Sequence, residues 1–188
     1  MRVISGTARG KKLKSPEGQD VRPTLDRIKE DMFNIIGPAI RGKKVLDLFA
    51  GSGALGIEAL SRGAEVCYFV DRDKKSLSLT RQNLDSTQLT SKARLLETDA
   101  ENAIKKLSSE GLKFDYIFID PPYNLRIAET TLQKLQKYNI IQEKAFIILE
   151  TELEEVLPDH IDSLVKTKDK KYKNTRIVLL TKEQKSNE

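Results

Sequence analysis

Two stretches of this chain combine residue types in an order that could do chemistry. Residues 114–123 read FDYIFIDPPY, an apolar run that ends in Asp120, Pro121, Pro122 and Tyr123. Two successive prolines cannot continue a central strand, since they lack the N–H groups that a ladder needs. Asp120 and Tyr123 are therefore expected at the carboxyl end of a buried strand. A carboxylate and a carbonyl (that of Pro121) placed there could accept both N–H groups of a conjugated amine. That would favour its pyramidal, nucleophilic form and stabilise the positive charge that develops on nitrogen as it attacks. The ring of Tyr123 could stack on a flat heterocycle presented to the same place.

The second stretch lies some 70 residues earlier. Residues 44–60 read KVLDLFAGSGALGIEAL. Val45, Leu46, Leu48 and Phe49 surround Asp47 in a short apolar strand, and Gly51, Ser52 and Gly53 then turn the chain into an apolar helix through Gly56. Strand, glycine turn and helix make the nucleotide-binding corner of a doubly wound sheet, where ligands sit at the carboxyl ends of the strands. Asp47 is a carboxylate in apolar surroundings and needs a partner: the cationic end of a ligand, or the amides of the loop. Asp71 ends the next strand, twenty residues beyond Gly51, where an acid can accept hydrogen bonds from both ribose hydroxyls. This fits dinucleotide and adenosylmethionine sites alike. Asp99 ends a third strand and can receive an adenine amine, with Ala100 packing nearby, or cap the helix that follows; both can hold.

The elements that must position these residues alternate along the chain. Strands are expected over 65–71, 93–98, 114–120 and 145–150. Asp73 caps a helix to about Leu84. Ala100, Ala103, Ile104 and Leu107 follow the spacing of a helix with one buried face, as do Ala128, Leu132 and Leu135. The ending changes character: strands over 161–167 and 176–181 flank a basic loop, KDKKYKN, with no helix between, which predicts an antiparallel hairpin closing a mixed sheet. Before residue 44, a small hairpin or arm around Gly6 and Gly10 leads through a turn-rich linker to a helix. Thr24 caps that helix, Leu25, Ile28, Met32 and Ile35 share one face, and Arg27 and Asp31 pair on the other.

Composition sets the class. The chain has 188 residues, 38% hydrophobic and 32% charged, which fits one globular domain with a well-charged surface. The single cysteine, Cys67, excludes an internal disulfide and a thiol cluster for zinc. No apolar run has the form of a signal sequence or a membrane span, so a cytoplasmic protein is expected. The whole net charge of +5 sits in residues 1–43. Arg2, Arg9, Lys11, Lys12 and Lys14 occur there without an intervening acid, a pattern suited to a polyanion such as RNA. Residues 1–43 read as a basic extension packed on the core, 44–182 as the catalytic domain and 183–188 as a frayed tail. His160, the single histidine, receives no role.

Taken whole, the sequence resembles the bacterial class I S-adenosylmethionine-dependent methyltransferases that modify the N2 amine of a guanine in small-subunit (16S) ribosomal RNA. The resemblance runs nearly end to end: RVISG, GKKL, RPTLDRIKEDMFNIIG, DLFAGSGALGIEALSRGA, FVDRD, IDPPY and KYKNT. The opening and the RPT helix are its specific parts, since other amino methyltransferases share only the glycine corner and DPPY. It implies an α/β, Rossmann-like fold with a mostly parallel seven-stranded sheet, a C-terminal antiparallel hairpin and a small N-terminal hairpin and helix. It also implies S-adenosylmethionine as cofactor, held by Asp47, Gly51, Gly53, Asp71, Asp99 and Ala100, with Arg22 and Thr24 beside the pocket. Asp120, Pro121, Pro122 and Tyr123 would meet the base. The partner would be ribosomal RNA, the small subunit or its assembly intermediate, met by a monomer without metal or membrane. Leu25 stands where a second threonine is usual and Asn174 near a frequent glycine. The alternatives are the same chemistry on another base amine, such as adenine N6, and a nicotinamide-dependent oxidoreductase that GSGALG and Asp71 would allow.

Overall fold

The computed structural model describes residues 1–16, 23–122 and 125–183. Apolar segments form strands β1 (Lys44–Asp47), β2 (Val66–Asp71), β3 (Ala93–Glu97), β4 (Phe114–Ile119) and β5 (Ile141–Glu152), all parallel where they pair. Helices α2 (Ala54–Ser61), α3 (Lys74–Thr87), α4 (Ala100–Ser109) and α5 (Leu125–Lys137) connect them. The chain ends in β6 (His160–Ile161), β7 (Leu164–Lys171) and β8 (Thr175–Lys182), and β8 runs antiparallel to β5. The sheet order is β3-β2-β1-β4-β5-β8-β7-β6. From β1 the chain winds one way to β3, then returns to β4 on the other side of β1. The crevice where the winding reverses, between β1 and β4, is where a ligand site is expected in such a sheet.

Both faces of the sheet are covered, as a parallel sheet requires. On one face, α2, α3 and the helix α1 (Pro23–Ile36) bury Ile57, Leu60, Leu84, Met32 and Phe33 against Val45, Phe69, Phe118 and Ile148. On the other, α4 and α5 bury Ile104, Leu107, Leu132 and Leu135 against Leu46, Val70, Ile117 and Ile147.

Several expectations change. The sheet has eight strands where seven were expected, because two residues of β6 add an edge to β7. Most of the KDKKYKN segment is strand: Lys168 to Lys171 pair with β8, which leaves a tip at Tyr172–Asn174. Helix α1 starts at Pro23, so Thr24 lies inside it and not at its cap. Its buried face is Ile28, Met32, Phe33 and Ile36, with Ile35 half-buried, because Phe33 packs on Phe118 at 5.6 Å. Asp31 turns from Arg27 to Lys170 of β7, 3.1 Å away. The N-terminal hairpin reduces to a single antiparallel bridge, Arg2 to Lys12. The expected tail from 184 onward lies outside the described residues.

The N-terminal arm is fastened at Ser61 and Asn83, which bond its backbone, and at one buried acid. Glu58 of α2 is fully buried, and its carboxylate accepts the backbone N–H groups of Ile4 (2.8 Å) and Ser5 (3.0 Å). It also pairs with Lys29 of α1 at 3.2 Å and with Arg62 at 2.8 Å. Burial pushes the Lys29 ammonium below its usual range, and Glu58 opposes that shift. Lys29 in turn donates to the carbonyl of Arg2. At Gly6 (φ +86°) a Cβ would sit 1.8 Å from the Ser61 carbonyl oxygen, so only glycine allows the arm this close to α2. Val3, Ala8 and Leu13 then join the main core.

Removing the charge of Glu58 strands the buried Lys29 ammonium. Glu58→Gln should therefore lower stability by about 3–5 kcal/mol. Urea unfolding should show a lower midpoint with an unchanged slope.

Candidate active site

Parallel strands bring their carboxyl ends to the same edge of the sheet. The register pairs Asp47 with Phe69 and with Phe118, and Phe118 with Ile148. Side chains alternate along a strand, so Asp71, Asp120 and Glu150, each two residues further on, lie on the same face as Asp47 and one layer nearer the edge. No lysine or arginine among the described residues forms an ion pair with any of these four acids. They gather in a cleft of about 1460 Å³ lined by the strand ends, α1, α5 and the β7–β8 tip.

Each acid is held differently. Asp47 is 1% exposed and accepts one hydrogen bond, from the Gly56 N–H at 3.1 Å. Burial pushes its carboxyl up to about 7; the Gly56 bond opposes the shift and the Asp71 charge adds to it. Asp71 accepts the N–H groups of Gly51 and Asp73, both at 2.9 Å. A carboxylate has about four acceptor positions, so two remain for hydroxyls from the cleft. The turn itself is fixed from behind. Thr80 donates to the Gly51 carbonyl (2.8 Å) and Asn83 to that of Ser52 (2.9 Å). At Gly53 (φ +77°) a Cβ would come within 2.7 Å of Thr80. Gly53 is buried under the turn and shapes it, whereas Gly51 faces the cleft.

Asp99 caps α4, accepting from the backbone N–H of Asn102 at 2.9 Å and its side-chain amide at 2.7 Å. These bonds hold its carboxyl below the usual range, and with Ala100 it stands on the cleft wall. Strand β4 ends at Ile119, and Asp120 and Pro121 follow at the cleft floor. Asp120 is exposed to the cleft, with protein packed behind it that takes water from the carboxyl. That enclosure raises its carboxyl well above the ordinary value, and the charges of Glu150 and Asp47 push the same way. The water at its open side moderates the shift without reversing it. Glu150 is raised by burial, against one hydrogen bond from Thr175 at 3.1 Å.

The structure thus gathers Asp47, Gly51, Asp71, Asp99, Ala100, Asp120, Pro121 and Pro122 at one cleft. Arg22 and Tyr123 lie outside the described residues, as does the side chain of Thr24. Arg2, Arg9, Lys11, Lys12 and Lys14 are exposed, and the two ends of their segment, Met1 and Pro16, line the cleft. Sequence reasoning missed Glu150 and Lys173–Thr175 at the β7–β8 tip. An acid ending an apolar strand was the signal for Glu150, as it was for Asp71. A second cavity, about 910 Å³, lies behind the arm. It holds no strand-end acid, and its Arg62 is already engaged by Glu58 and by the ring of Phe33 at 4.6 Å, so the chemistry belongs to the larger cleft.

The chain is similar to proteins already known. A family model described as Conserved hypothetical protein 95 matches residues 1–181. YlbH of Bacillus subtilis, provisionally named an rRNA methyltransferase, is 43% identical over 97% of this chain and 99% of its own length. Ribosomal RNA small subunit methyltransferase D of Escherichia coli is 37% identical over 84% of this chain and 78% of its own. A solved structure provisionally named as a methyltransferase, yhhF from Escherichia coli, superposes with a TM-score of 0.85 at 32% identity, covering 98% of this chain and 99% of that one.

The buried carboxyl of Asp47 makes stability depend on pH. Its folded-state value near 7 lies above the ordinary carboxylate value. Its contribution to stability is therefore greatest in acid and is lost as pH rises through about 7. Asp47→Asn, which can still accept from Gly56, should gain stability relative to wild type between about pH 5 and pH 8.5. The gain should be on the order of 2–3 kcal/mol, read from denaturation curves at both pH values.

Proposed function

The chain belongs to the family described as Conserved hypothetical protein 95, and from that membership and the four-acid cleft we propose that its target is the N2 amine of a guanine in small-subunit ribosomal RNA. It is an rRNA methyltransferase, as its relatives are named, and S-adenosylmethionine is the methyl donor that this cleft suits. The observation that carries the reading of the site is Asp120–Pro121–Pro122 at the end of β4, facing Asp47 and Asp71 across the switch point of the sheet.

The residues present fit the cofactor. An uncompensated cluster of carboxylates suits a cationic sulfonium, and Asp71 keeps acceptor capacity for two vicinal hydroxyls once Gly51 and Asp73 are served. Asp99 and Ala100 stand where an adenine would lie, and the Gly51 turn leaves the backbone open to close approach. When bound, S-adenosylmethionine supplies an electrophilic methyl group on sulfur. Asp120 and the Pro121 carbonyl orient the base amine and stabilise the positive charge forming on it. The guanine must leave its stack to reach the floor of the cleft, and the role expected of Tyr123, next after Pro122 in the sequence, is to stack on its ring.

The arm supplies the RNA contact. Arg9, Lys11 and Lys12 are exposed and form no ion pair among the described residues. Lys14 is partly engaged, donating to Gln82 at 2.8 Å. The substrate is ribosomal RNA, free or within the small subunit or its precursor, and the enzyme works as a cytoplasmic monomer. No helix among the described residues is long and apolar enough to cross a membrane. Calorimetry with adenosylhomocysteine against NAD, followed by mass mapping of methylated nucleotides in ribosomal RNA from a deletion strain, tests the reading. NAD binding, or an unchanged methylation map, would sink it.

Two further outcomes follow from the roles assigned. Asp120→Ala should abolish methyl transfer and leave adenosylhomocysteine affinity nearly intact, whereas Asp71→Ala should weaken that affinity by about 1.5–3 kcal/mol. Calorimetry and a methyl-incorporation assay on the two folded variants separate the roles.

Neutralising Arg9, Lys11 and Lys12 together should flatten the plot of log RNA affinity against log salt by about 2, at roughly 0.7 per phosphate contact. Parallel lines for variant and wild type would remove the arm from recognition.

A further inference from the structure

Methyl transfer leaves a proton to be placed. The nitrogen lone pair forms the new N–C bond while the carbon–sulfur pair leaves on sulfur, so the nitrogen becomes cationic until an N–H bond breaks. That bonding pair returns to nitrogen, and a base must take the proton. Asp120, which holds the amine in the reading above, is the nearest acid, but it does not stand alone.

The last paired residues of β4 and β5 are Ile119 and Leu149, so the next residue on each strand is Asp120 and Glu150. In-register residues of neighbouring parallel strands point to the same face and lie about 4.8 Å apart. Glu150 is therefore beside Asp120 at the cleft floor, where both line the cavity. It is poorly served: its one hydrogen bond among the described residues comes from Thr175, whose hydroxyl lies closer to the Thr151 carbonyl (2.7 Å) than to Glu150 (3.1 Å). The other charged groups lining the cleft are Asp47 of β1, Asp71 and Arg72 at the end of β2, Asp99 and Glu101 at the start of α4, Lys29 of α1, Arg126 and Lys134 of α5, Glu152 and Glu155 beyond Glu150 on the chain, and Lys173 from the hairpin tip. Lys29 is committed to Glu58.

We propose that Asp120 and Glu150 act as a carboxylate pair in which Glu150 takes up, through Asp120, the proton that the methylated amine sheds. Glu150 is then a positioning and relay group, and Asp120 the one that touches the amine. Two like charges at this separation cannot both ionise freely, so the pair shares a proton over part of the working pH range. In its singly charged state it accepts the amine proton and becomes neutral. The open side of the cleft then returns a proton to water. The direction of both carboxyl shifts, upward, agrees with such sharing. This inference rests on the methyltransferase reading of the cleft.

The test uses Glu150→Gln, which keeps the side-chain shape and an acceptor for Thr175. In the ligand-free protein, carbon-13 NMR of the side-chain carboxyls should show the Asp120 midpoint falling by about one pH unit or more once its charged neighbour is gone. In single-turnover methyl transfer, the rate near neutral pH should fall about a hundredfold and the acid limb of its pH profile should move to lower pH. Adenosylhomocysteine affinity should stay within about twofold, since the cofactor groups are untouched. Glu150→Asp should recover part of the rate. An unchanged Asp120 midpoint together with an unchanged acid limb would overturn the pair. If Glu150→Gln fails to fold, Thr175→Val decides: losing the donor to ionised Glu150 should move the acid limb upward, and an unmoved limb overturns the proposal. Wild-type protein that transfers no methyl group to RNA would instead sink the methyltransferase reading, while the titration would still report on the coupling of the two acids.

Discussion

The constraint on which this molecule depends is the parallel pairing of β1, β2, β4 and β5. Parallel strands in register must end at one edge, so acids that follow the apolar run of each strand are forced into one another's company. Asp47, Asp71, Asp120 and Glu150 meet for that reason, with no lysine or arginine among the described residues paired to any of them. Desolvation raises three of the carboxyls above their ordinary range, and the charges of neighbouring acids add to the shift at Asp120 and Asp47. Such an edge is poor for stability in the absence of ligand and well suited to a cation and to N–H donors, which is the chemistry of a sulfonium and an amine.

A second buried charge solves a different problem. The arm of residues 1–16 has few apolar side chains of its own, only Val3, Ala8 and Leu13 being buried in the core. It is held by backbone N–H groups that end on Glu58, and Glu58 is in turn balanced by Lys29 and Arg62. Because α1 and α2 contribute to this node, the arm is fixed relative to the cleft. Met1 and Pro16 form part of the cleft wall, so the basic surface that would track a phosphate backbone and the floor that would receive a base share one rigid frame. A loosened arm would degrade recognition and the shape of the cleft together.

The hairpin at the other end of the sheet completes the wall. Lys170 reaches Asp31 of α1 and lies over the ring of Tyr172 at 5.2 Å. Arg176 and Lys166 both turn to Asp169. The first of these contacts ties the hairpin to α1, and Lys173 and Asn174 line the cleft. The cleft thus has strand-end acids in its lining together with residues of both basic segments.

What the sequence by itself determined is the local grammar. The apolar runs and their terminal acids, the glycine corner, the capping of α3 by Asp73 and the alternation of strand and helix were legible because each depends on residues a few positions apart. Asp47, Asp71, Asp99 and Asp120 were found on that basis, and the structure brings all four to the cleft. The tertiary structure alone decided which groups become neighbours across long separations. Arg27 was the local partner for Asp31, but the packing of α1 against the hairpin offers Lys170 instead. The lysine-rich segment read as a loop because its side chains do not alternate, yet the backbone of β8 gives it a ladder to join. Glu150 carried the same signal as the other strand-end acids. Its place beside Asp120 follows from the β4–β5 register, a property of backbone pairing between segments thirty residues apart that no local pattern encodes.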